Sequence, residues 1–187
     1  MEADGLVRLI LSDCRAFSDL RGDSARRRRL LLVPRLLLNP SLHATVLVRL
    51  SNASPRWLHW LWRNILIWKH STEVVHRSSI GPGLILPHPF GIAIGRNVRI
   101  GRGVTIAHNV SIGANFGSEG VPIIGDGVVV CTNAMIFGAV EVGERSILGA
   151  GALVDFDVPA GAVVAAARGQ LLERRAEELL PAGPGAR

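Results

Sequence analysis

One histidine interrupts an apolar, glycine-punctuated stretch. In IGPGLILPHPFGIAIG, residues 80–95, His88 stands between Pro87 and Pro89. An imidazole titrates near neutral pH, so it can take a proton from a hydroxyl and return it to a leaving group. The only other histidine downstream is His108, in TIAHNVSIG. The two lie twenty residues apart with no close third, and a catalytic zinc needs three protein ligands. No metal is expected. His43, His59, His70 and His76 fall in or just beyond an N-terminal helical segment and are given no chemistry. Cys14 and Cys131 form no C-x-x-C pair and allow at most one bridge, which points to a reduced, cytoplasmic protein.

The elements that must position His88 follow a period of six. Every sixth residue from 94 reads Ile94, Ile100, Ile106, Ile112, Ser118, Ile124, Val130, Ile136, Val142, Leu148 and Val154, all aliphatic but one. Glycine follows at 95, 101, 113, 125, 143 and 149. Three past the aliphatic comes Asn or Gly at 97, 103, 109, 115, 127, 133 and 151, residues that tolerate a left-handed backbone. A hexapeptide period of this kind marks a parallel β-helix whose aliphatics point inward and stack from coil to coil. The register breaks twice. Ile80 and Leu86 are six apart, but Leu86 and Ile94 are eight, so two extra residues enter at PHPFG. His88 should therefore project outward from the wall. The stretch ANFGSEGVPI, 114–123, keeps the count but puts Ser118 on a rung, and its composition reads as a loop leaving the helix.

Residues 4–70 read as helix, with Asp4 as an N-cap, Leu6, Ile10, Phe17 and Leu20 close to one face, and Pro34 and Pro40 breaking or starting helices. In SPRWLHWLWRNILIWKH, Ser54 can cap and Pro55 suits the first helical position. Trp57, Leu61, Ile65 and Trp68 make one stripe of that helix; Arg56, His59, Arg63 and His70 make the other. Such a tryptophan-rich face can lie in a membrane interface or pack on a neighbouring domain or subunit; its breadth and the lack of a lipidation signal favour packing. The 187-residue chain has formal charge +6, and 13 of its 21 Arg and Lys but only six of its 15 Asp and Glu fall in residues 1–79. The single run RRRR, 26–29, has no reading module around it, so no nucleic-acid partner is expected. No uninterrupted apolar run reaches the ~18 residues that span a bilayer. A solenoid needs capped ends. The helices can cover one, and RGQLLERRAEELL, 168–180, reads as a charged amphipathic helix for the other end or a flank. The divisions expected are a helical N-terminal domain over 1–72, the β-helix over 73–166, and a C-terminal helix with a flexible tail over 167–187.

The blocks IGPGLILPHPFGIAIG, VRIGRGVTIAHNVSIGA and GVPIIGDGVVVCTNAMIFGAVEVGERSILGAGALVDFDVPAGAVV resemble the serine acetyltransferases, hexapeptide-repeat acyltransferases with a left-handed β-helix. The resemblance covers about residues 73–165, and its most specific part is the GLxLxHxxGIxIG block. It implies an acetyl-CoA-dependent O-acetyltransferase serving cysteine biosynthesis. The assembly implied is a homotrimer or dimer of trimers, with the active site between neighbouring β-helices. His88 matches the family's catalytic base, and Glu73 stands where the family has the Asp that would orient it. Pro87 replaces an Asp. Val121, before Pro122, replaces a substrate-holding His, and Gly120 replaces an Arg. The reaction carries over; the serine-binding side chains do not. By the same resemblance His108 could meet substrate or pantetheine, or simply stack at a coil corner, and Val121 marks the acceptor site. Ala114, Thr132, Ala150 and Arg168 match positions along CoA.

L-serine is the first acceptor expected, and a sugar, polysaccharide or natural-product hydroxyl is the alternative that the valine at 121 favours. A trimeric zinc hydrolyase shares the β-helix but lacks its third histidine here. A non-catalytic scaffold would leave His88 at the register break without a purpose.

Overall fold

A computed structural model describes residues 3–24, 38–115 and 120–167. The RRRR run, Pro34, Ser118, Arg168 and the expected C-terminal helix lie outside the described residues. Among the described residues three helices come first: α1 (Ala3–Leu20), α2 (Pro40–Ala53) and α3 (Arg56–His70). Helix α1 already includes Ala3, so Asp4 sits within its first turn and is not the N-cap expected. Helix α2 starts on a regular signal. The Asn39 side-chain oxygen accepts from the Ser41 and Leu42 amides, and Pro40 occupies the first turn, where its missing N–H leaves no bond unmade. Ser54 closes α2 instead of capping α3: its backbone is extended and its hydroxyl donates to the Leu50 carbonyl. Pro55 precedes α3 with no side-chain cap, and α3 ends on Ser71 at φ 48°.

Thirteen short strands among the described residues then wind into a parallel solenoid of three sheets. The first is β1 (Glu73–Val74), β3 (Ala93–Ile94), β6 (Ser111–Gly113), β9 (Met135–Phe137) and β12 (Leu153–Val154). The second is β2 (Ser79–Ile80), β4 (Arg99–Ile100), β7 (Ile123–Ile124) and β10 (Glu141–Val142). The third is β5 (Thr105–Ile106), β8 (Val129–Val130), β11 (Ile147–Leu148) and β13 (Val163–Val164). Each described aliphatic of the six-residue series from Ile94 to Val154 is at most 4% exposed. They stack as β-sheet partners coil on coil, Ile94 on Ile112 on Ile136 on Val154. Burying each such side chain contributes about 1.5–3 kcal/mol. A second inward series lies four residues on, at Val98, Val104, Val110, Val128, Ala134, Val140, Ala152 and Val158. Ser146 falls in that series, and its hydroxyl donates to the Gly143 and Pro159 carbonyls. The corners turn on left-handed residues at Asn97, Gly103, Asn109, Gly127, Asn133 and Gly151; Arg145 joins them although its type gives no hint of it.

The helices cap the first coil. Ala44, Leu47 and Val48 of α2 and Leu66 of α3 share one buried cluster with Val74, Ile80 and Leu86. Cys14 and Phe17 of α1 and Leu42 of α2 cover the outward-facing Ile85. The inward face of α3 is only in part the one its sequence suggests, with Ile65 of the apolar stripe and Trp62 packed on the core. His59, Leu66 and His70 are buried, whereas Trp57, Trp60 and Trp68 are 76%, 65% and 95% exposed. Each buried histidine has one ring nitrogen engaged locally: His59 Nδ1 lies 2.8 Å from the Ser51 hydroxyl and His70 Nε2 lies 3.1 Å from His43 Nδ1, while His70 Nδ1 has no hydrogen-bond partner among the described residues. Leu20 likewise faces solvent, and Asp13 and Cys14 take the buried side of α1. Asp13 explains why. Its carboxylate accepts two bonds from Arg49 of α2 and two more from the Gly83 and Leu84 amides. Arg49 in turn donates to the Ile80 and Gly81 carbonyls, so one buried ion pair ties both helices to the first coil.

Candidate active site

The two-residue slip is real. Glu73 pairs with Ala93, twenty residues on, whereas Ala93 pairs with Ser111, eighteen on. The surplus sits at 87–91, between the Ile85–Thr105 bridge of the third sheet and β3 of the first. Leu86 and Pro89 are buried, and His88 and Phe90 stand outside. Proline fixes the backbone at 87 and 89, and His88 is kept out of the helical region by the proline after it. Neither proline has an N–H, so the segment's polar backbone is largely carbonyls. All four from 87 to 90 are taken. Ser41 Oγ donates to the Pro87 carbonyl at 2.8 Å, the Phe90 amide to His88 at 2.8 Å, Thr72 Oγ1 to Pro89 at 2.9 Å and the Asn109 amide to Phe90 at 2.8 Å. The Gly91 amide donates to the Ser71 carbonyl. The backbone is held on every side while the imidazole points into a cleft of about 350 Å³. That cleft is also walled by Phe17 and Arg21 near the end of α1, by Asn39 and Ser41 at the start of α2, and by Phe90.

His108 meets His88. Their rings lie 5.9 Å apart, edge to face at 79°, and the buried Nδ1 of His108 has no hydrogen-bond partner among the described residues. Backbone bonds run up the same edge: Asn109 amide to Phe90, Asn133 amide to His108, Gly151 amide to Thr132. Thr132 Oγ1 also donates to the His108 carbonyl. His88, His108, Thr132 and Ala150 therefore share one edge of the solenoid, between its third and first sheets.

The remaining candidates lie elsewhere. The structure does not bring Glu73 onto His88: its carboxylate is taken by Arg63 of α3, through both Nε and Nη2. This pair is about one-third exposed on each side. Glu73 opens a groove of about 350 Å³ along the first sheet, paved by Ala93, Gly95, Ser111 and Gly113 and ending at Ala114 and Phe137. Ala114 is thus on the face of the first sheet, not on the edge that carries Thr132 and Ala150. Val121 is half-buried and packs on the solenoid core. A side chain at Gly120 would put its Cβ 2.2 Å from that of Ala139, so the arginine of the family pattern could not stand there without moving a coil. Sequence reasoning missed Ser41 and Thr72, which hold the bulge. No local pattern marks them, since Ser41 reaches its acceptor across 46 residues. Among the described residues no three His, Cys, Asp or Glu converge as a metal site. Both cysteines are free, and burial together with Asp13 pushes the Cys14 thiol up to about 11.

No protein-family model matches the chain. It is 32% identical over 145 residues to a serine acetyltransferase of Helicobacter pylori, covering 74% of this chain and 85% of that one. It is 31% identical over 142 residues to one of Mycobacterium tuberculosis, covering 69% and 61%. In a longer Schizosaccharomyces pombe relative the match spans 91 residues, 48% of this chain but only 34% of the yeast one. Among solved structures, soybean serine acetyltransferase complexed with serine superposes at TM-score 0.71 and 26% identity over 87% of this chain and 68% of that one. The Neisseria gonorrhoeae enzyme superposes at TM-score 0.77 and 24% identity over 92% and 68%. These likenesses carry the fold, a left-handed parallel β-helix behind N-terminal helices.

Proposed function

The chain belongs to the serine acetyltransferase family, and from that we propose that it moves an acetyl group from acetyl-CoA to a small-molecule hydroxyl, L-serine first. The observation that carries this reading is His88: the one outward imidazole on a backbone with every carbonyl held, at the edge of a cleft. Acetyl-CoA supplies the thioester. His88 takes the proton of the acceptor hydroxyl as its oxygen attacks and hands it to the departing sulfur, so the base is regenerated in each turnover. His108, edge-on to His88, borders the acceptor site. The groove from Glu73 to Ala114 is floored by small residues, which leaves room for a pantetheine arm.

Ala114 lines that groove, while Thr132 and Ala150 lie on another edge; all three reach one CoA if two copies contribute. Outward apolar residues support such packing: Met135, Leu153 and Phe156 on and beside the first sheet, Ile147 and Val163 on the third. A homotrimer, or a pair of trimers, gives this arrangement. Arg168 would add charge for the CoA phosphates. Two free cysteines suit a cytoplasmic setting. The product with serine would feed cysteine biosynthesis.

Val121 and Gly120 favour a second acceptor class. Where the family pattern has His and Arg, this chain offers an apolar wall and a glycine pressed on Ala139. A sugar, polysaccharide or natural-product hydroxyl needs no carboxylate anchor there. Thiol release from acetyl-CoA, measured against serine and a panel of hydroxyl compounds, decides between them. His88→Ala should lower the rate by about 10²–10⁴-fold. An unchanged rate in that variant would remove His88 from the chemistry.

A further inference from the structure

Two hydroxyls bracket the base. Ser41 Oγ, at the first turn of α2, donates to the carbonyl just before His88, and Thr72 Oγ1, just after α3, donates to the carbonyl just after it. Ser41 is 6% exposed and Thr72 is fully buried. Ser41 is not needed by its own element, whereas Thr72 Oγ1 lies 2.9 Å from the Pro89 carbonyl and 3.1 Å from the His70 carbonyl at the end of α3, so it bridges that helix end to the bulge. Helix α2 is already capped by Asn39, and Thr72 follows the left-handed Ser71 that ends α3. The Pro87 and Pro89 carbonyls have no backbone donor within the coil. Their neighbours at 88 and 90 do, through the Phe90 and Asn109 amides. Without the two hydroxyls, the Pro87 and Pro89 carbonyls lose their hydrogen-bond partners among the described residues, and the segment that carries His88 is free to shift.

We propose that Ser41 and Thr72 are positioning residues for His88, so that the docked N-terminal helices set the aim of the base that the β-helix carries. This rests on the reading of His88 as the base. A proton transfer needs heavy atoms about 2.6–3.2 Å apart, and a misplacement near 1 Å costs on the order of 10²-fold. Ser41 and Thr72 touch no substrate; they act through the carbonyls on either side of the imidazole.

The test compares Ser41→Ala and Thr72→Val with Ser41→Thr and Thr72→Ser, all in the full chain, with the productive acceptor. The apolar variants should lose about 10–100-fold in kcat while KM for acetyl-CoA stays within about twofold; the hydroxyl-keeping variants should return to within about threefold of wild type. Amide exchange adds a readout independent of turnover. In wild type the Phe90 and Gly91 amides should be protected, and in the apolar variants they should exchange at least about tenfold faster while Gly143 and Gly149 in the later coils do not change. Apolar variants with wild-type kcat, or a hydroxyl-keeping variant as impaired as its apolar counterpart, would overturn the proposal. So would unprotected Phe90 and Gly91 amides in wild type, a result that needs no variant to fold. If wild type releases no CoA with any acceptor, the acetyltransferase reading falls, and amide exchange still judges whether the hydroxyls hold the bulge.

Discussion

Replacing Asp13 with alanine should unfasten the helices from the β-helix. The Asp13 carboxylate accepts four hydrogen bonds, at 2.8 and 2.9 Å from Arg49 and at 2.8 and 2.9 Å from the Gly83 and Leu84 amides. Asp13 and Arg49 are 1% and 2% exposed. Removing one partner of a buried pair leaves an uncompensated charge, which costs about 3–5 kcal/mol. Two buried amides lose their acceptor as well, at about 1–3 kcal/mol each unless water reaches them. Against a total stability of about 5–15 kcal/mol, that is enough for the helices to leave the first coil before the solenoid melts. Urea unfolding followed by circular dichroism and by tryptophan fluorescence reads both events, because all four tryptophans lie in α3. The two curves should separate in Asp13→Ala. Adding Arg49→Met removes the stranded charge but not the loss at the two amides, so the double variant should lose less than the two single variants summed while still carrying about 2–6 kcal/mol for the orphaned amides unless water reaches them. The reasoning fails if Asp13→Ala costs less than about 1 kcal/mol, or if the double variant loses the sum of the two single losses.

Three further outcomes follow from the geometry. Glu73→Gln breaks an ion pair that is about one-third exposed, so it should cost less than about 1 kcal/mol and lower kcat far less than His88→Ala; equal losses in kcat would make Glu73 the group that orients His88 after all. Burial, then His43 and Lys69, holds the His70 imidazole at about 4. An unfolded histidine protonates near 6.5, so between pH 6.5 and about 4 the unfolded chain binds a proton that the folded chain refuses. Stability should therefore fall by up to about 3 kcal/mol as pH drops through that window, and urea midpoints that stay level from pH 7 to 4.5 would contradict it. A Cβ at Gly143 would lie 2.3 Å from the Ala160 amide nitrogen, so Gly143→Ala should cost about 1–3 kcal/mol or more, whereas Gly103, at φ +64° with open space around it, should accept asparagine almost without loss; thermal melts that rank them the other way would refute the packing argument.

The β-helix was legible because its core repeats. One aliphatic in six, a glycine beside it and a left-handed corner three on are all local in sequence, and the described aliphatics landed where the period put them, as did the corners except Asn115, whose backbone is not left-handed. The outward turn of His88 was legible for the same reason, as a two-residue fault in a strict count. The helices were not. Apolar spacing on α3 selects the tryptophan stripe, yet the first coil offers α2 and α3 an apolar end that Leu66 and Leu47 fill, and Trp57, Trp60 and Trp68 are left outside. Asp13 and Arg49 read as surface charges until their mutual geometry is known. Glu73 was expected to face His88 from its position in a motif, but the arginine that captures it comes from a helix ten residues earlier.

The second break in the repeat has a consequence for how such chains change over time. Ser111 pairs with Met135, 24 residues on, where its predecessor step was 18, so the loop between them holds one whole extra hexad. The sixfold count runs on through it undisturbed, which is why Ser118 looked like a flawed rung. Insertions of six are silent to the core, since the strands after them keep their phase and their inward faces. The surplus of two at the bulge is out of phase and has to be tied down by groups from other elements. Length changes in multiples of six therefore offer this fold an inexpensive route to new loops, and any other length commits the rest of the molecule to compensate.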